Sequence, residues 1–170
     1  MTAIVNVDKN WGIGRDGDQP FYIPEDLKFF SDKTRGNVVV MGRATLEALP
    51  NSSPLPKRIN IVMTKQEEMK VRGATVCNDF DQLFKALQAF DDREIFVIGG
   101  AKLYNDLLQH CTKAYVTKIF DEATCDRWFP NLDEMPNWRL SHASEVKSHK
   151  GLEFQFCEYV KEREGDVNGN

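Results

Sequence analysis

Seven short runs of apolar, mostly β-branched residues punctuate the chain. They are AIVNV at 3–7, NVVVM at 37–41, INIVM at 59–63, ATVC at 74–77, IFVIG at 95–99, AYVTKI at 114–119 and LEFQFCEYV at 152–160. Most of the early runs are continuous rather than alternating, which predicts strands buried on both faces. In the last, Leu152, Phe154 and Phe156 alternate with Glu153 and Gln155. That pattern predicts an antiparallel strand with one wet face.

Helical patterns lie between these runs. EDLKFFSDKT follows Pro24, a residue suited to a first helical turn, and RATLEAL follows Gly42. DFDQLFKALQAF offers Asp79 as an N-cap and sets Leu83, Phe84, Leu87 and Phe90 on one stripe. GAKLYNDLLQHC follows Gly99. Strand and helix alternate to residue ~112 and then give way to strands, so we expect an α/β fold with a mainly parallel sheet and an antiparallel C-terminal edge. No fixed-period repeat or dividing linker interrupts the chain. The reading is one domain over 1–160 and a polar, frayed tail, KEREGDVNGN, over 161–170.

DKNWGIGRDGDQPFYIP, residues 8–24, joins the first strand to the first helix. Its glycines and prolines argue against regular structure. Trp11, Ile13, Phe21 and Ile23 are too apolar for simple disorder. A long connection of this kind predicts a functional loop, and we expect a closing lid.

Composition narrows the possibilities. With 170 residues, 41% of them apolar and 28% charged, the chain is one globular domain with a core of its own. The net charge of −4 argues against nucleic-acid and acidic-membrane partners, though local cations and dipoles can still hold a phosphate. The opening MTAIVNVDKNW shows no charged leader, and no run reaches the length of a membrane span, so we expect a cytoplasmic location and a monomer. Cys77, Cys111, Cys125 and Cys157 are scattered, as are His110, His142 and His149, so no metal site is expected.

One local feature occurs twice. VVVMGRATLEAL at 38–49 and IFVIGGAKLYNDLL at 95–108 each run a buried strand into glycine, then a basic residue and a helix. A helix start presents unpaired N–H groups, and glycine lets backbone approach an anion closely. Two such junctions at strand ends suit the two halves of a dinucleotide. Arg43 and Lys102 add charge, and the planar fork of arginine suits an extra ribose phosphate, which favours NADPH over NADH. The alternative is that glycine merely closes each turn and the cations are solvated. Neither GxGxxG nor a P-loop is present.

Asp26 falls in the first turn of the helix after Pro24, where an acid complements the dipole, as Glu25 also does. It shares a face with Phe30 at i and i+4. If that face lines a cleft, Asp26 becomes a carboxylate in an apolar wall, and desolvation raises its proton affinity.

Taken together, WGIGRDGDQPFYIPEDLKFF, VVVMGRATLEAL, PLPKRINIV, IFVIGGAKLY, and CDRWFP after AYVTKI stand in the order and spacing of the dihydrofolate reductases. The chain resembles that family over residues 2–160. The resemblance implies one eight-stranded, mostly parallel sheet flanked by four helices. It also implies NADPH-dependent reduction of 7,8-dihydrofolate to tetrahydrofolate, which supports one-carbon and thymidylate metabolism. Asp26 resembles the active-site acid bonded to the pterin, with Thr117 tied to it. Phe30, Leu49 and Leu55 resemble the apolar clamp, Ile4 and Val5 the floor, and Arg58 the arginine that grips the glutamate carboxylate. Ile98 and Tyr104 border the meeting point of the two rings. On the cofactor side the resemblance places Ile13, Gly42, Arg43, Thr45, Met63, Thr64 and Lys65, together with Gly99, Gly100, Ala101, Lys102 and Leu103, the glycine pair joined by a cis peptide.

Several positions depart from the family pattern. Phe21 stands where tryptophan is usual and lacks the indole N–H. Asn6 replaces the usual alanine beside the nicotinamide amide, Ala44 occupies the place of a second cation, and Lys102 replaces a frequent arginine. The implied chemistry is hydride transfer to the imine carbon with a proton from water, while Asp26 orients and polarises the pterin. Two other readings compete. A ribosylaminopyrimidine reductase of riboflavin synthesis should lack the Asp26–Phe30 face and the PLPKR arginine. In a non-catalytic nucleotide-binding module, Asp26 is only a surface acid.

Overall fold

The computed structural model describes residues 1–15 and 19–163. The first half of the chain forms β1 (Thr2–Val7), β2 (Gly12–Gly14), α1 (Pro24–Thr34), β3 (Val38–Gly42), α2 (Arg43–Ala48), β4 (Ile59–Met63) and β5 (Ala74–Cys77). There follow α3 (Phe80–Leu87), β6 (Ile95–Gly99), α4 (Ala101–Leu107), β7 (Lys113–Ile119), β8 (Arg127–Trp128), β9 (Trp138–Ala143), β10 (Lys147–His149) and β11 (Leu152–Lys161).

The main sheet runs β10-β11-β7-β1-β6-β3-β4-β5, with β9 also paired to β11. β9 lies against residues 157–161 of β11 and β10 against residues 152–154, so the two share one edge position. That edge position reconciles nine strand segments with the eight expected positions. Pairing is parallel from β7 to β5, whereas β11 runs antiparallel to β7.

The continuous apolar runs of β3 and β4 became strands covered on both faces, whereas in β5 at the sheet edge only Cys77 is buried. In β3, Val38 and Val40 belong to the core shared with Leu83, Leu87, Leu103 and Leu107 of α3 and α4. Val39 and Met41 belong to the opposite core, with Leu46 of α2 and Phe29 and Phe30 of α1. Asp79 caps α3 by accepting the Gln82 N–H at 2.7 Å. Pro24 opens α1.

Four expectations need correction. The connection at 8–24 contains regular structure, since β2 pairs with β8, and Asp8 accepts from the Gly12 N–H at 2.7 Å and the Ala123 N–H at 3.1 Å. Its residues 16–18 lie outside the described ones. β8, β9 and β10 have no counterpart among the apolar runs. β11 does not keep one wet face: Phe154 and Phe156 pack on the α1 side, and Cys157 and Tyr159 in the other core. Lys161 ends β11, its N–H bonded to Thr112 O, so the ordered chain passes the expected boundary; residues 164–170 lie outside the described ones.

Candidate functional site

Parallel strands end together, and the chain leaves each end in a loop or a helix start. Between β1 and β6, pairing covers only Thr2–Phe96 and Ala3–Val97, whereas β1 stays paired with β7 along its whole length. Beyond Ala3 the Tyr104 hydroxyl takes up the Ile4 carbonyl at 2.7 Å. The parting of β1 and β6 opens a cleft of about 1290 Å³ at the carboxyl ends of β1, β3, β4 and β6. Ligands of open α/β sheets bind at such an edge. A typical small-molecule pocket holds about 300–1,000 Å³, so this cleft has room for two ligands end to end.

One half is apolar around a single acid. Phe30 of α1, with Leu49 and Leu55, faces Ile4 and Val5 of β1 across the space, and Asp26 enters from the first turn of α1. The α1 N-terminus has no side-chain cap; the Asp26 and Leu27 N–H groups both bond Ile23 O. The Asp26 side chain is thereby left for the cleft. Its Oδ1 accepts from Thr117 Oγ1 at 2.6 Å and its Oδ2 from Asn6 Nδ2 at 3.0 Å. Asp26 is half-buried, open to the cleft on one side and crowded on the others. Desolvation pushes its carboxyl above the ordinary 3.8, with the Thr117 and Asn6 hydrogen bonds pulling the other way.

At the far end of this half, Arg58 is held by Pro56 O at 2.8 Å, Ser31 Oγ at 3.1 Å and Thr34 Oγ1 at 3.2 Å. Buried Asn60 clamps the loop beneath it, accepting from Leu55 N–H and donating to Leu55 O and Arg58 O. The guanidinium lies 6.0 Å from the Phe30 ring centre. Burial and neighbouring Arg35 lower its proton affinity, but a guanidinium remains charged.

The other half is built on the two glycine junctions. Gly99 has φ +127°, which a side chain rarely adopts, and a Cβ there would meet Thr45 Oγ1 and Tyr104 Cε2 at 3.4 Å. The Gly99-Gly100 peptide is cis. A Cβ on Gly42 would stand 3.8 Å from Gly99 O, so the junctions face each other at close range. Neither α2 nor α4 has a side-chain N-cap. Arg43, Lys65 and Lys102 line this half, Arg43 also reaching Glu47 at 3.3 Å in an exposed pair. Glycine-lined backbone and cations form a donor set that fits the phosphates of a dinucleotide.

Every nominated residue except Thr117 lines this cleft, including Ile13, Phe21, Ala44, Met63, Thr64, Ile98, Ala101 and Leu103. Thr117 is buried behind Asp26 and meets the cleft only through it. The Asn6 side chain, expected beside the cofactor amide, is bonded to Asp26. Sequence reasoning missed Leu27 and Ser31 on α1, Asn78 and Asp79 after β5, and Arg127 on β8. Helical spacing would have found Ser31 from Leu27, and Asn78 follows the end of another parallel strand, β5. Arg127 carries no local signal. Among the described residues no His, Cys, Asp or Glu cluster suits a metal ion, and no helix is long and apolar enough to cross a membrane.

Known proteins share this architecture. The dihydrofolate reductase family model matches residues 1–161. The chain is 36% identical over 171 residues to dihydrofolate reductase of Bacillus subtilis (strain 168), covering 99% of each chain. It is 38% identical over 147 residues to that of Drosophila melanogaster, covering 79% of this chain and 81% of the relative. A solved structure of dihydrofolate reductase from Enterococcus faecalis, complexed with NADP(H) and RAB-propyl, superposes with a TM-score of 0.83 at 29% identity, covering 95% of this chain and 96% of that one. With the family model spanning nearly its whole length, the chain belongs to the dihydrofolate reductase family.

Proposed function

We propose that this protein reduces 7,8-dihydrofolate to 5,6,7,8-tetrahydrofolate with NADPH, and that Asp26 holds and polarises the pterin. The observation that carries this reading is the position of Asp26. It is an acid in an apolar wall, fixed through both oxygens, in the same cleft as the two glycine junctions.

NADPH supplies the hydride when bound. Gly42, Arg43, Thr45 and residues 99–102 would hold its phosphates, with Thr64 and Lys65 toward the adenosine. Asp26 accepts from the N–H groups of the pterin, which fixes the ring and lets the carboxylate stabilise positive charge developing on it. Phe30, Leu49 and Leu55 close on the ring systems against Ile4 and Val5 and shield them from bulk solvent. Arg58 meets the glutamate carboxylate through a fork that lysine cannot reproduce. The ring nitrogen takes its proton from water, since Asp26 is the single acid at this end among the described residues. Alignment of this kind is worth roughly 7–11 kcal/mol of barrier. We further propose that the protein acts as a cytoplasmic monomer without a nucleic-acid partner, in keeping with its charge of −4.

Purified protein should oxidise NADPH only when dihydrofolate is added. Asp26→Asn should lower kcat/KM at neutral pH by about 10²- to 10³-fold, the scale of losing one preorganised electrostatic group. Turnover by the asparagine variant at the wild-type rate would remove Asp26 from the mechanism.

A further inference from the structure

Asn6 and Thr117 are register partners on the neighbouring strands β1 and β7. Side chains at partnered positions project from the same face of a sheet and lie side by side. Here both reach up to one carboxylate from beneath: Thr117 takes Oδ1 at 2.6 Å and Asn6 takes Oδ2 at 3.0 Å. An ionised carboxylate only accepts, so Asn6 must present its Nδ2. That nitrogen also lies 3.3 Å from Gln19 Oε1, in the connection ahead of α1.

We propose that Asn6 is a positioning residue for Asp26: its amide holds Oδ2 from the floor of the cleft and links that oxygen to Gln19 in the loop preceding α1. This inference rests on the role of Asp26 proposed above. It gives Asn6 a task different from the cofactor contact that the family resemblance implies. It also places a donor in a pocket where Phe21 has none to offer.

The donor matters because little else supports the charge. The groups facing Asp26 are Asn6 on β1, Thr117 on β7 and Tyr104 on α4, with Gln19 linked to it through Asn6. Only Tyr104 titrates, and its buried phenol, donating to Ile4 O, is pushed far up and stays protonated. Glu25, the neighbouring acid, pairs with Lys147 of β10 at 3.3 Å. Among the described residues no cation pairs with Asp26. Its ionised form therefore depends on two hydrogen bonds, of which Asn6 supplies one.

The test is a carboxyl ¹³C NMR titration of the intact protein, with and without NADP⁺, the Asp26 signal being assigned by its loss in Asp26→Asn. Asn6→Ala should move the Asp26 midpoint to higher pH. Asn6→Asp should move it further, because a second carboxylate of the same size replaces a donor with a like charge. The isosteric variant also keeps the test decisive if alanine packs poorly. In steady-state assays Asn6→Ala should lower kcat/KM for dihydrofolate by about tenfold, with the KM for NADPH within about twofold of wild type. Unmoved midpoints in both variants would overturn the proposal, as would a rise in the NADPH KM matching the loss on dihydrofolate. Should the wild-type protein not reduce dihydrofolate, the functional reading fails, while the titration still reports the Asn6–Asp26 coupling.

Discussion

Asp26 combines an energetic cost with a task. Its folded proton affinity lies above the unfolded value because burial disfavours the charge more than two hydrogen bonds favour it. From the ordinary 3.8 upward through the folded value, the native chain therefore binds more proton than the unfolded one, and stability falls as pH rises. Above that window the cost is fully present. Asp26→Asn should therefore gain on the wild type in thermal melts as pH increases, its margin being larger at about pH 7 than at about pH 3. A margin independent of pH would show that the carboxyl titrates alike in both states. An acid kept where it costs stability is expected at a functional site. Part of this was legible: the i, i+4 relation with Phe30 placed Asp26 on an apolar face, and the family strings nominated Thr117. The bond from Asn6 was not, because it depends on strand register, which joins residues 111 positions apart on β1 and β7.

Among the elements, the short β2–β8 pair connects the front of the cleft to the main sheet. Buried Asp8 holds both of its approaches, accepting from Asn10, Gly12 and Ala123 N–H groups. Gly12 is tightly enclosed: a Cβ there would stand 2.5 Å from Cys125 Sγ and 2.9 Å from Cys125 Cβ. Overpacking of this kind costs about 1–3 kcal/mol. For a domain of this size that is roughly 2–12 °C of melting temperature. Gly12→Ala should melt lower by an amount in that range, and adding Cys125→Gly should recover part of the loss by clearing both contacts. No recovery would place the strain elsewhere, Asp8 Oδ1 at 3.0 Å being the next neighbour. The parallel core was readable because its central strands, such as β3 and β4, bury both faces and so show as apolar runs. β8 and β9 were not: both residues of β8 are exposed, and in β9 only Trp138 is buried. An edge strand with no buried side leaves hydrogen bonds but no hydrophobic pattern.

At the scale of the molecule, the order of the strands sets what the cleft can do. β6 lies between β1 and β3 in the sheet although β4 and β5 precede it in the chain, and its pairing with β1 ends where Ile98 and Gly99 turn toward the opening. The two walls are thus late and early parts of the chain, and a ligand lying across both adds contacts that the unfolded chain lacks. Any such ligand stabilises the fold by mass action, by about 2.7 kcal/mol at a hundred times its Kd. NADPH at that level should raise the melting temperature by roughly 5–11 °C. Arg43, beside Gly42 and paired among the described residues with exposed Glu47, is the arginine we propose to recognise the ribose phosphate. Arg43→Ala should weaken NADPH by about tenfold or more, the scale of a lost charged hydrogen bond. At the same concentration the shift would then fall to about half, because ten times Kd gives only about 1.4 kcal/mol. NADH lacks that phosphate, so its own shift should be the same in both proteins. Equal losses for the two cofactors would move the phosphate contact away from Arg43, with Lys65 at the end of β4 the next cation along the cleft.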